Sequence, residues 1–230
     1  MTVVALSVII PVGPGDQAWH GLLPQLAGLP ESTELIISAC EPVPDEESTR
    51  LDSVCHACHW LQSRPGRAYQ LNRGIEFGQG RMLWLLHADS RPTPDVIQQV
   101  CQWVDQHKEG WLYFDLAFDD RLWGRMQLNT IGARLRSRLF DLPFGDQGWL
   151  ISRQRFEHVG PFDASWHRGE DLEWALRARR HQLKPVPSQT RLVTSSRRYR
   201  EQGWFKTTLN HVVQTLKMVR KARQQKEQNQ

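Results

Sequence analysis

The clearest pattern along the chain is an uninterrupted run of apolar residues at positions 82–86. A run of this length predicts a strand that is buried on both faces, as in a parallel sheet. It leads into His87 and Asp89 and stops before Pro92, and residues 93–95 follow as the N-cap, first-turn proline and first-turn acid of a predicted helix. We therefore expect Asp89 to lie at the carboxyl end of a central strand, where open α/β sheets bind their ligands.

Strands and helices alternate through the first half of the chain. Positions 6–11 and 34–39 have the apolar composition of strands, and helices are predicted at 19–26 and from 64 onward. Pro24 predicts that the first of these helices is kinked or starts late. The alternation predicts an α/β fold with a doubly wound, mainly parallel sheet.

The pattern changes after residue 110. Strands are predicted at 111–118, within 144–151 and at 190–194, with helices at 123–140, at 155–160 and from Glu170 onward. A last, basic helix has an apolar stripe at helical spacing, formed by Phe205, Leu209, Val212, Leu216 and Val219. We divide the chain into one domain at 1–203, with halves at 1–110 and 111–203, and a C-terminal amphipathic helix with a frayed tail at 204–230.

Composition places the protein among cytoplasmic proteins. The 230 residues have a mean hydropathy of −0.54 and no apolar run near the roughly 20 residues that span a bilayer. The first residues lack the basic region and cleavage site of a signal peptide, and four cysteines in such a chain predict reduced thiols. The net charge is +4, and bases dominate from Arg197 onward, which favours phosphate-bearing partners.

Two acidic sites are candidates for chemistry. Asp89 is a possible ligand for Mg²⁺ or Mn²⁺, which proteins often bind through one or two carboxylates plus substrate phosphates, and His87 is a possible second contact. Glu170 and Asp171 offer a general base at the start of a helix. The alternatives are a solvated turn aspartate, a structural histidine, and first-turn acids that complement the helix dipole.

Basic side chains and cysteines give further candidate sites. Arg64 and Arg67 flank Gly66 at a helix start, where backbone N–H groups and guanidinium groups suit a diphosphate, and Arg197 and Arg198 are expected to close over the same phosphates. All four are otherwise solvated surface arginines. Residues 55–59, Cys-His-Ala-Cys-His, have the pattern of half a zinc site, but Cys40 and Cys101 lack the paired spacing that would complete it. We favour a helix that presents these Cys and His side chains to core and solvent.

The chain resembles the family 2 glycosyltransferases of the GT-A fold, and within them a small bacterial single-domain branch. The resemblance covers nearly the whole chain and rests on several short motifs in the family's order. They are Ser-Val-Ile-Ile-Pro at 7–11, Gly-Arg-Ala at 66–68 with Asn72 and Gly74, Leu-Leu-His-Ala-Asp-Ser at 85–90, Pro-Phe-Gly-Asp-Gln-Gly at 143–148, residues 156–162, Gly-Glu-Asp at 169–171, and Thr-Ser-Ser-Arg-Arg-Tyr at 194–199.

This resemblance implies a metal-dependent, inverting transfer of a sugar from a nucleotide-sugar donor to an acceptor hydroxyl. Asp89 is then the metal ligand and Asp171, in the pair with Glu170, the catalytic base. The 1–110 half would bind the nucleotide sugar and the 111–203 half the acceptor. The remaining implied contacts are Pro11, Arg64, Arg67 and His87 to the nucleotide, Arg197 and Arg198 to the diphosphate, and Asp146 and Gln147 to the acceptor.

The sequence departs from the family pattern in two loops. An acid usually follows the first strand directly, and here Asp16 takes its place after Gly-Pro-Gly. An aspartate usually follows the second strand, and here Glu41 is the nearest acid. These departures leave open a non-catalytic GT-A scaffold with a degraded donor site. A nucleotidyltransferase is a further alternative, although residues 12–15 make a poor phosphate loop.

The predicted partners are a nucleotide-sugar donor and an acceptor whose chemistry stays open, with no nucleic acid. The basic helix at 204–230 is expected to pack on the sheet. The alternative is that it rests on the anionic inner surface of the membrane, which would make the protein peripheral.

Overall fold

The computed structural model describes residues 3–44, 57–118, 123–166 and 168–194. The strands are β1 (Leu6–Val12), β2 (Thr33–Ala39), β3 (Cys58–Gln62), β4 (Met82–Leu85), β5 (Ser90–Arg91), β6 (Trp111–Phe118), β7 (Trp149–Ser152) and β8 (Pro185–Thr194). The helices are α1 (Trp19–Leu22), α2 (Arg67–Phe77), α3 (Pro94–Asp105), α4 (Trp123–Phe140), α5 (Arg153–Val159) and α6 (Glu170–Arg180), with 3-10 helices at Leu23–Leu26 and Gly145–Gln147.

The described strands form one sheet in the order β3-β2-β1-β4-β7-β6-β8-β5. Strands β3, β2, β1 and β4 run parallel to one another, and β7 pairs antiparallel with both β4 and β6. Strand β8 is parallel to β6, whereas β5 is antiparallel to β8. The prediction of a mixed, mainly parallel sheet flanked by helices is confirmed. This one sheet contains strands from before and after the boundary proposed at residue 110.

Apolar runs in the sequence correspond to strands with a hydrophobic core on each side. Every residue of β1 is buried, and Val8 and Ile10 enter one core while Ile9 enters the other. Helices α1 and α3 cover the first face, and α2, α5 and α6 cover the second. Because successive side chains of a strand point to opposite faces, a strand covered on both faces has no polar alternation.

Aromatic side chains fix the second half of the chain to the sheet. Trp174 of α6 contacts Trp111 and Trp149, with ring centroids 5.2 and 5.4 Å apart. It also stacks on Phe156 of α5 at 5.4 Å, and its indole N–H donates to the carbonyl of Gly160 at 2.8 Å. Large edge-to-face and stacked rings stabilise such a cluster beyond the area that they bury. The start of α6, which contains Glu170 and Asp171, is thereby held against the carboxyl side of the sheet.

Several element predictions are confirmed. Helix α3 has Thr93 as its N-cap residue and Pro94 in its first turn, and the predicted interruption at Pro24 is a change from α-helix to 3-10 helix. Helix α5 ends at Val159 and is capped by Gly160, whose φ of 93° favours glycine. The predicted strand before Asp89 ends at Leu85, so that His87 and Asp89 lie in the turn that follows it.

Strands β3 and β5 were not predicted, and β8 starts earlier than predicted. Residues 58–62 form β3, so the helix that we favoured for Cys58 and His59 is wrong; Cys55 and His56 lie outside the described residues. Strand β3 is at the edge of the sheet and half-buried, and it therefore lacks an apolar run. Strand β8 begins at Pro185 and not at residue 190, because most of its outer edge is unpaired and tolerates proline.

Some predictions fall outside the described structure. Arg197, Arg198 and the helix proposed at 204–230 all belong to segments that it does not describe. Among the described residues, no helix combines the length and the apolar character needed to cross a membrane.

Gly80, in the loop that precedes β4, gives a test of the packing against β1. At Gly80, an added Cβ would lie 2.4 Å from the backbone nitrogen of Ser7, and backbone cannot move aside as a side chain can. We expect Gly80→Ala to lower the free energy of unfolding by about 1–3 kcal/mol in urea titrations. Gly132→Ala, on α4 with nothing within 4 Å of its added Cβ, should leave stability unchanged or raise it by up to about 1 kcal/mol. Equal effects of the two substitutions would contradict this packing.

Candidate functional site

The loops that follow the parallel strands meet at one edge of the sheet. Because β1, β2, β3 and β4 are parallel, the residues after their carboxyl ends lie side by side. The loop after β1 contacts the loop after β2, since the backbone N–H of Gly15 donates to Glu41 Oε2 at 3.1 Å. Asp16 turns inward along its own loop, and its Oδ1 accepts from the N–H of Ala18 at 2.9 Å. Pro11 is buried within β1.

Arg67 is the central charged group of this edge. It is the first residue of α2, and the φ of 126° at the preceding Gly66 favours glycine there. The Arg67 side chain reaches across to α6, where Nε donates to Glu170 Oε1 and Nη2 lies 3.7 Å from Asp171 Oδ2. Burial opposes the charge on Arg67, but Glu170 and then Asp171 hold the pKa of its guanidinium above the ordinary value. The guanidinium therefore stays charged and joins two elements that are far apart in sequence.

The same guanidinium determines the protonation of His87. Arg67 Nη1 lies 2.8 Å from His87 Nε2. A guanidinium has donors only, so Nε2 must accept the hydrogen bond. In this geometry the His87 ring is neutral and carries its proton on Nδ1. His87 is thus oriented by a cation, which agrees with the structural alternative for this histidine, although the sequence did not indicate its partner.

Asp171 is held by backbone donors on both of its oxygens. Oδ2 accepts from the N–H of Gly145 and Oδ1 from the N–H of Leu172, each at 2.8 Å. An added Cβ at Gly145 would lie 3.3 Å from Asp171 Oδ2 and 3.3 Å from His87 Nε2. Glycine therefore lets the loop before β7 pass between the acid of α6 and the histidine after β4. Glu170, in contrast, is 2% exposed and faces Arg67, so the geometry gives it the role of holding that arginine.

These side chains line a small, partly open pocket. Its polar wall consists of Arg67, His87, Glu170 and Asp171, and its apolar wall is formed by leucine and aromatic side chains. Asn72 supports the wall from behind through a reciprocal pair of hydrogen bonds with the backbone of Phe162, at 2.8 and 2.9 Å. The pocket thus combines a few charged groups with an apolar floor, as ligand sites commonly do.

Asp146 is a third carboxylate close to this pocket. Burial raises the pKa of the Asp146 carboxyl from 3.8 to about 6; Arg136 and Arg67 lower it in part, and Asp171 and Asp89 raise it further. Its Oδ1 is buried and has no hydrogen-bond partner among the described residues. Asp89 and Asp171 therefore both act electrostatically on Asp146, although the three residues come from separate elements of the fold.

Gln147 was predicted to contact the acceptor, but its fully buried side chain is engaged by the protein. Oε1 accepts from Arg136 Nη2 at 3.0 Å, from Ser137 Oγ at 2.8 Å and from the N–H of Phe144 at 2.9 Å, and Nε2 donates to the Phe114 carbonyl. Gln147 thus anchors α4 to the loop that precedes β7. Sequence reasoning missed Arg136, whose guanidinium also lies 3.3 Å over the Phe144 ring, because nothing distinguishes it from the other arginines of its helix.

The donor set of the site fits a divalent cation that is completed by substrate. Asp89 offers carboxylate oxygens in the turn after β4. Asp146 Oδ1 is buried without a hydrogen-bond partner among the described residues, and the charge of Asp89 acts on the Asp146 carboxyl. The described residues contain no group of three or more His, Cys, Asp and Glu side chains arranged as metal ligands. Magnesium and manganese sites commonly take several ligands from water and substrate phosphates, so a protein site with few ligands is the expected kind.

Comparison with known proteins identifies the fold. No protein-family model and no curated protein matches the sequence. Among solved structures, TarS from S. aureus matches 83% of this chain at 13% identity with a TM-score of 0.63. The mannosyltransferase PcManGT from Pyrobaculum calidifontis, in complex with GDP-Man and Mn²⁺, matches 82% at 14% identity and a TM-score of 0.63. The fold is the GT-A fold.

These structural neighbours are longer than this chain. The chain spans 36% of TarS, 56% of PcManGT and 58% of a TarS 1-349 structure in complex with UDP-GlcNAc, which it matches over 84% of its own length with a TM-score of 0.61. At 13–14% identity, the similarity to these proteins is a similarity of fold.

The predicted site residues divide into three groups by position. Arg67, His87, Glu170 and Asp171 line one pocket, and Asp89 and Asp146 lie in the same electrostatic neighbourhood. Pro11, Asp16 and Glu41 belong to the adjacent loops of β1 and β2, and Arg64 is exposed just before α2. Arg197 and Arg198 are not described.

The ion pair between Arg67 and Glu170 can be tested by its removal. Arg67→Met leaves the buried Glu170 carboxylate without its cation, and we expect a loss of about 3 kcal/mol in the free energy of unfolding at neutral pH. The control is Arg73→Met on the same helix, whose pair with Glu76 is exposed and should contribute no more than about 0.5 kcal/mol. A loss at Arg67 as small as that at Arg73 would contradict the central role of this pair.

The Asp146 carboxyl predicts a pH dependence of stability. The pKa of Asp146 is higher in the folded protein than in the unfolded chain. Its contribution to the free energy of unfolding is therefore fully present below pH 3.8 and is lost as the pH rises through about 6. Asp146→Asn should therefore raise the free energy of unfolding at pH 8, by an amount on the order of 2 kcal/mol, and have little effect near pH 4. Urea titrations at both values test this, with the exposed Asp105→Asn as a control that should show no such difference.

Proposed function

We propose that this protein is an inverting, metal-dependent glycosyltransferase of family 2, which moves a sugar from a nucleotide-sugar donor to an acceptor hydroxyl. The observation that carries the proposal is the meeting of Arg67, His87, Glu170 and Asp171 at one pocket on the carboxyl edge of a GT-A sheet. The neighbours PcManGT, in complex with GDP-Man and Mn²⁺, and TarS 1-349, in complex with UDP-GlcNAc, support a nucleotide-sugar donor.

The donor would lie over the carboxyl ends of β1, β2 and β4. Pro11, Asp16 and Glu41 border the nucleoside side of this cleft, where the contact between Gly15 and Glu41 holds the two loops together. Arg64, Arg67 and His87 lie on the side of the diphosphate. Asp89 would hold Mg²⁺ or Mn²⁺ there, and a bound cation would supply positive charge that stabilises the departing nucleoside diphosphate. Arg197 and Arg198 complete the proposed diphosphate contacts.

Asp171 is the proposed general base. Its two backbone donors and the nearby guanidinium fix the carboxylate in one orientation, and each of its oxygens has a second lone pair for an acceptor hydroxyl. In the proposed reaction the hydroxyl proton passes to Asp171 while the acceptor oxygen bonds to the anomeric carbon. The bond between that carbon and the diphosphate oxygen breaks, and its electrons leave with the diphosphate. Glu170 keeps Arg67 in place, and Asp146 and Gln147 shape the acceptor side.

Asp171→Asn tests the assignment of the base. The amide keeps the shape of the side chain and one of its two acceptor oxygens but takes up no proton, so turnover should fall by about a hundredfold or more while donor affinity is kept. The readout is release of nucleoside diphosphate from UDP-, GDP-, CDP- and dTDP-sugars, with water as the acceptor, alongside calorimetry of diphosphate binding. Glu173→Gln, which alters another acid of α6, is the control and should retain turnover. Undiminished release by Asp171→Asn would exclude Asp171 as the base.

Asp89→Ala tests the metal ligand separately from turnover. Calorimetry of UDP and GDP binding should show that Mn²⁺ strengthens binding to the unaltered protein and has no such effect on Asp89→Ala. Asp95→Ala, an exposed acid in the first turn of α3, should behave as the unaltered protein does. Equal Mn²⁺ dependence in both variants would remove Asp89 from the metal site. A fully folded protein that binds no nucleoside diphosphate would favour the non-catalytic scaffold.

A further inference from the structure

Helix α4 carries large apolar side chains on its outer surface. Ile131, Leu135 and Leu139, each four residues after the last, are 53%, 52% and 69% exposed, and Phe140 beside them is 58% exposed. Residues spaced by four lie one above another on the same face of a helix. We call these four side chains the α4 stripe. Isolated exposed apolar residues are common in proteins, but a contiguous row of this kind marks a surface for binding.

The opposite face of α4 is fixed to the protein, so the stripe cannot turn inward. Ala133 and Ser137 are buried, and Ser137 Oγ donates to Gln147 Oε1 at 2.8 Å. Arg136 binds the same glutamine at 3.0 Å and donates to the carbonyl of Leu142 at 2.9 Å. Over residues 130–140 the helix therefore buries small and polar side chains and exposes Ile131, Leu135 and Leu139, which is the reverse of the usual arrangement for a surface helix.

Positive charge borders the stripe. The sequence of α4 contains four arginines and no acidic residue. Arg134 and Arg138 flank the stripe and lie 3.2 and 2.9 Å from the same carboxylate oxygen of Asp115, so two cations share one anion and a positive charge remains. Beyond the end of the helix, the exposed Arg179 donates to the carbonyl of Phe140 at 3.4 Å.

We propose that the α4 stripe docks on the surface of an anionic lipid bilayer, with α4 parallel to the membrane plane. A row of leucine and phenylalanine between arginines matches an interface of acyl chains beneath negative headgroups. A second copy of this chain is a poor occupant, because two such faces would bring their arginines together. This surface differs from the helix proposed at 204–230, and docking does not depend on the proposed transfer activity.

The position of the stripe has a consequence for the acceptor if the proposed function is also correct. The same helix that would rest on lipid binds Gln147, the neighbour of Asp146 in the loop before β7. Helix α4 thus separates the proposed acceptor side of the pocket from the proposed membrane surface. An acceptor hydroxyl on a membrane-anchored molecule would reach the pocket from that side.

Co-sedimentation of the full chain with vesicles tests the docking. One set of vesicles contains phosphatidylcholine with phosphatidylglycerol, and the other contains phosphatidylcholine alone. We expect binding to the anionic vesicles, which added salt weakens, and little binding to the neutral ones. Leu135→Gln combined with Leu139→Gln keeps every charge but removes two apolar contacts, and should weaken binding by about tenfold or more. Phe77→Gln, an exposed aromatic at the end of α2, is the matched control and should bind as the unaltered protein does.

Each remaining outcome overturns the proposal. It is wrong if the unaltered protein does not bind anionic vesicles, or if the double variant, shown to be folded by urea titration, binds them equally well. Retained binding by that variant together with loss in Leu209→Gln combined with Leu216→Gln would assign the contact to the 204–230 segment. A dimer of the unaltered protein in sedimentation equilibrium that the double variant loses, without any vesicle binding, would make a second copy the occupant. Because none of these measurements uses turnover, a failure here leaves the proposed activity untouched.

Discussion

The ion pair between Arg67 and Glu170 is the interaction on which the candidate site depends. The two residues are 103 positions apart, and Glu170 is 2% exposed at the start of α6. A buried carboxylate needs a nearby cation, and the cation that satisfies it here comes from the first residue of α2. The same guanidinium then reaches His87 after β4 and lies close to Asp171. One arginine thus brings together the two halves of the chain that contribute to the pocket.

The sheet makes this meeting possible. Strand β7 inserts antiparallel between β4 and β6, which places the loop before β7 beside the turn that contains His87 and Asp89. Gly145 in that loop donates its N–H to Asp171, and it has no side chain that would separate Asp171 from His87. The tryptophan cluster around Trp174 holds α6 in the position that this contact requires. Topology, a glycine and an aromatic core therefore act together to position one carboxylate.

The fold was predictable from the sequence wherever burial is complete. Strands β1, β2 and β4 are covered on both faces, so their apolar runs are unambiguous, whereas the half-buried edge strand β3 has no such run. Within the candidate site, the acids could be proposed from the sequence because each lies at a recognisable turn or helix start. The contact of Arg67 with Glu170 could not be predicted, because a contact across 103 residues leaves no local pattern. The sequence instead suggested that Arg67 binds phosphates. The family resemblance implied that Gln147 contacts the acceptor, and nothing in the sequence indicated that its side chain anchors α4.

The most direct test of the account is whether the carboxyl edge of this sheet binds a nucleoside diphosphate with a divalent cation. We would measure the melting temperature of the full chain with UDP, GDP, CDP and dTDP, each with and without Mn²⁺. A ligand that binds only the folded state raises the melting temperature, so we predict an increase for at least one nucleotide that depends on Mn²⁺. No increase with any of the four, in a protein that unfolds cooperatively, would contradict the donor site and leave a GT-A scaffold without a donor.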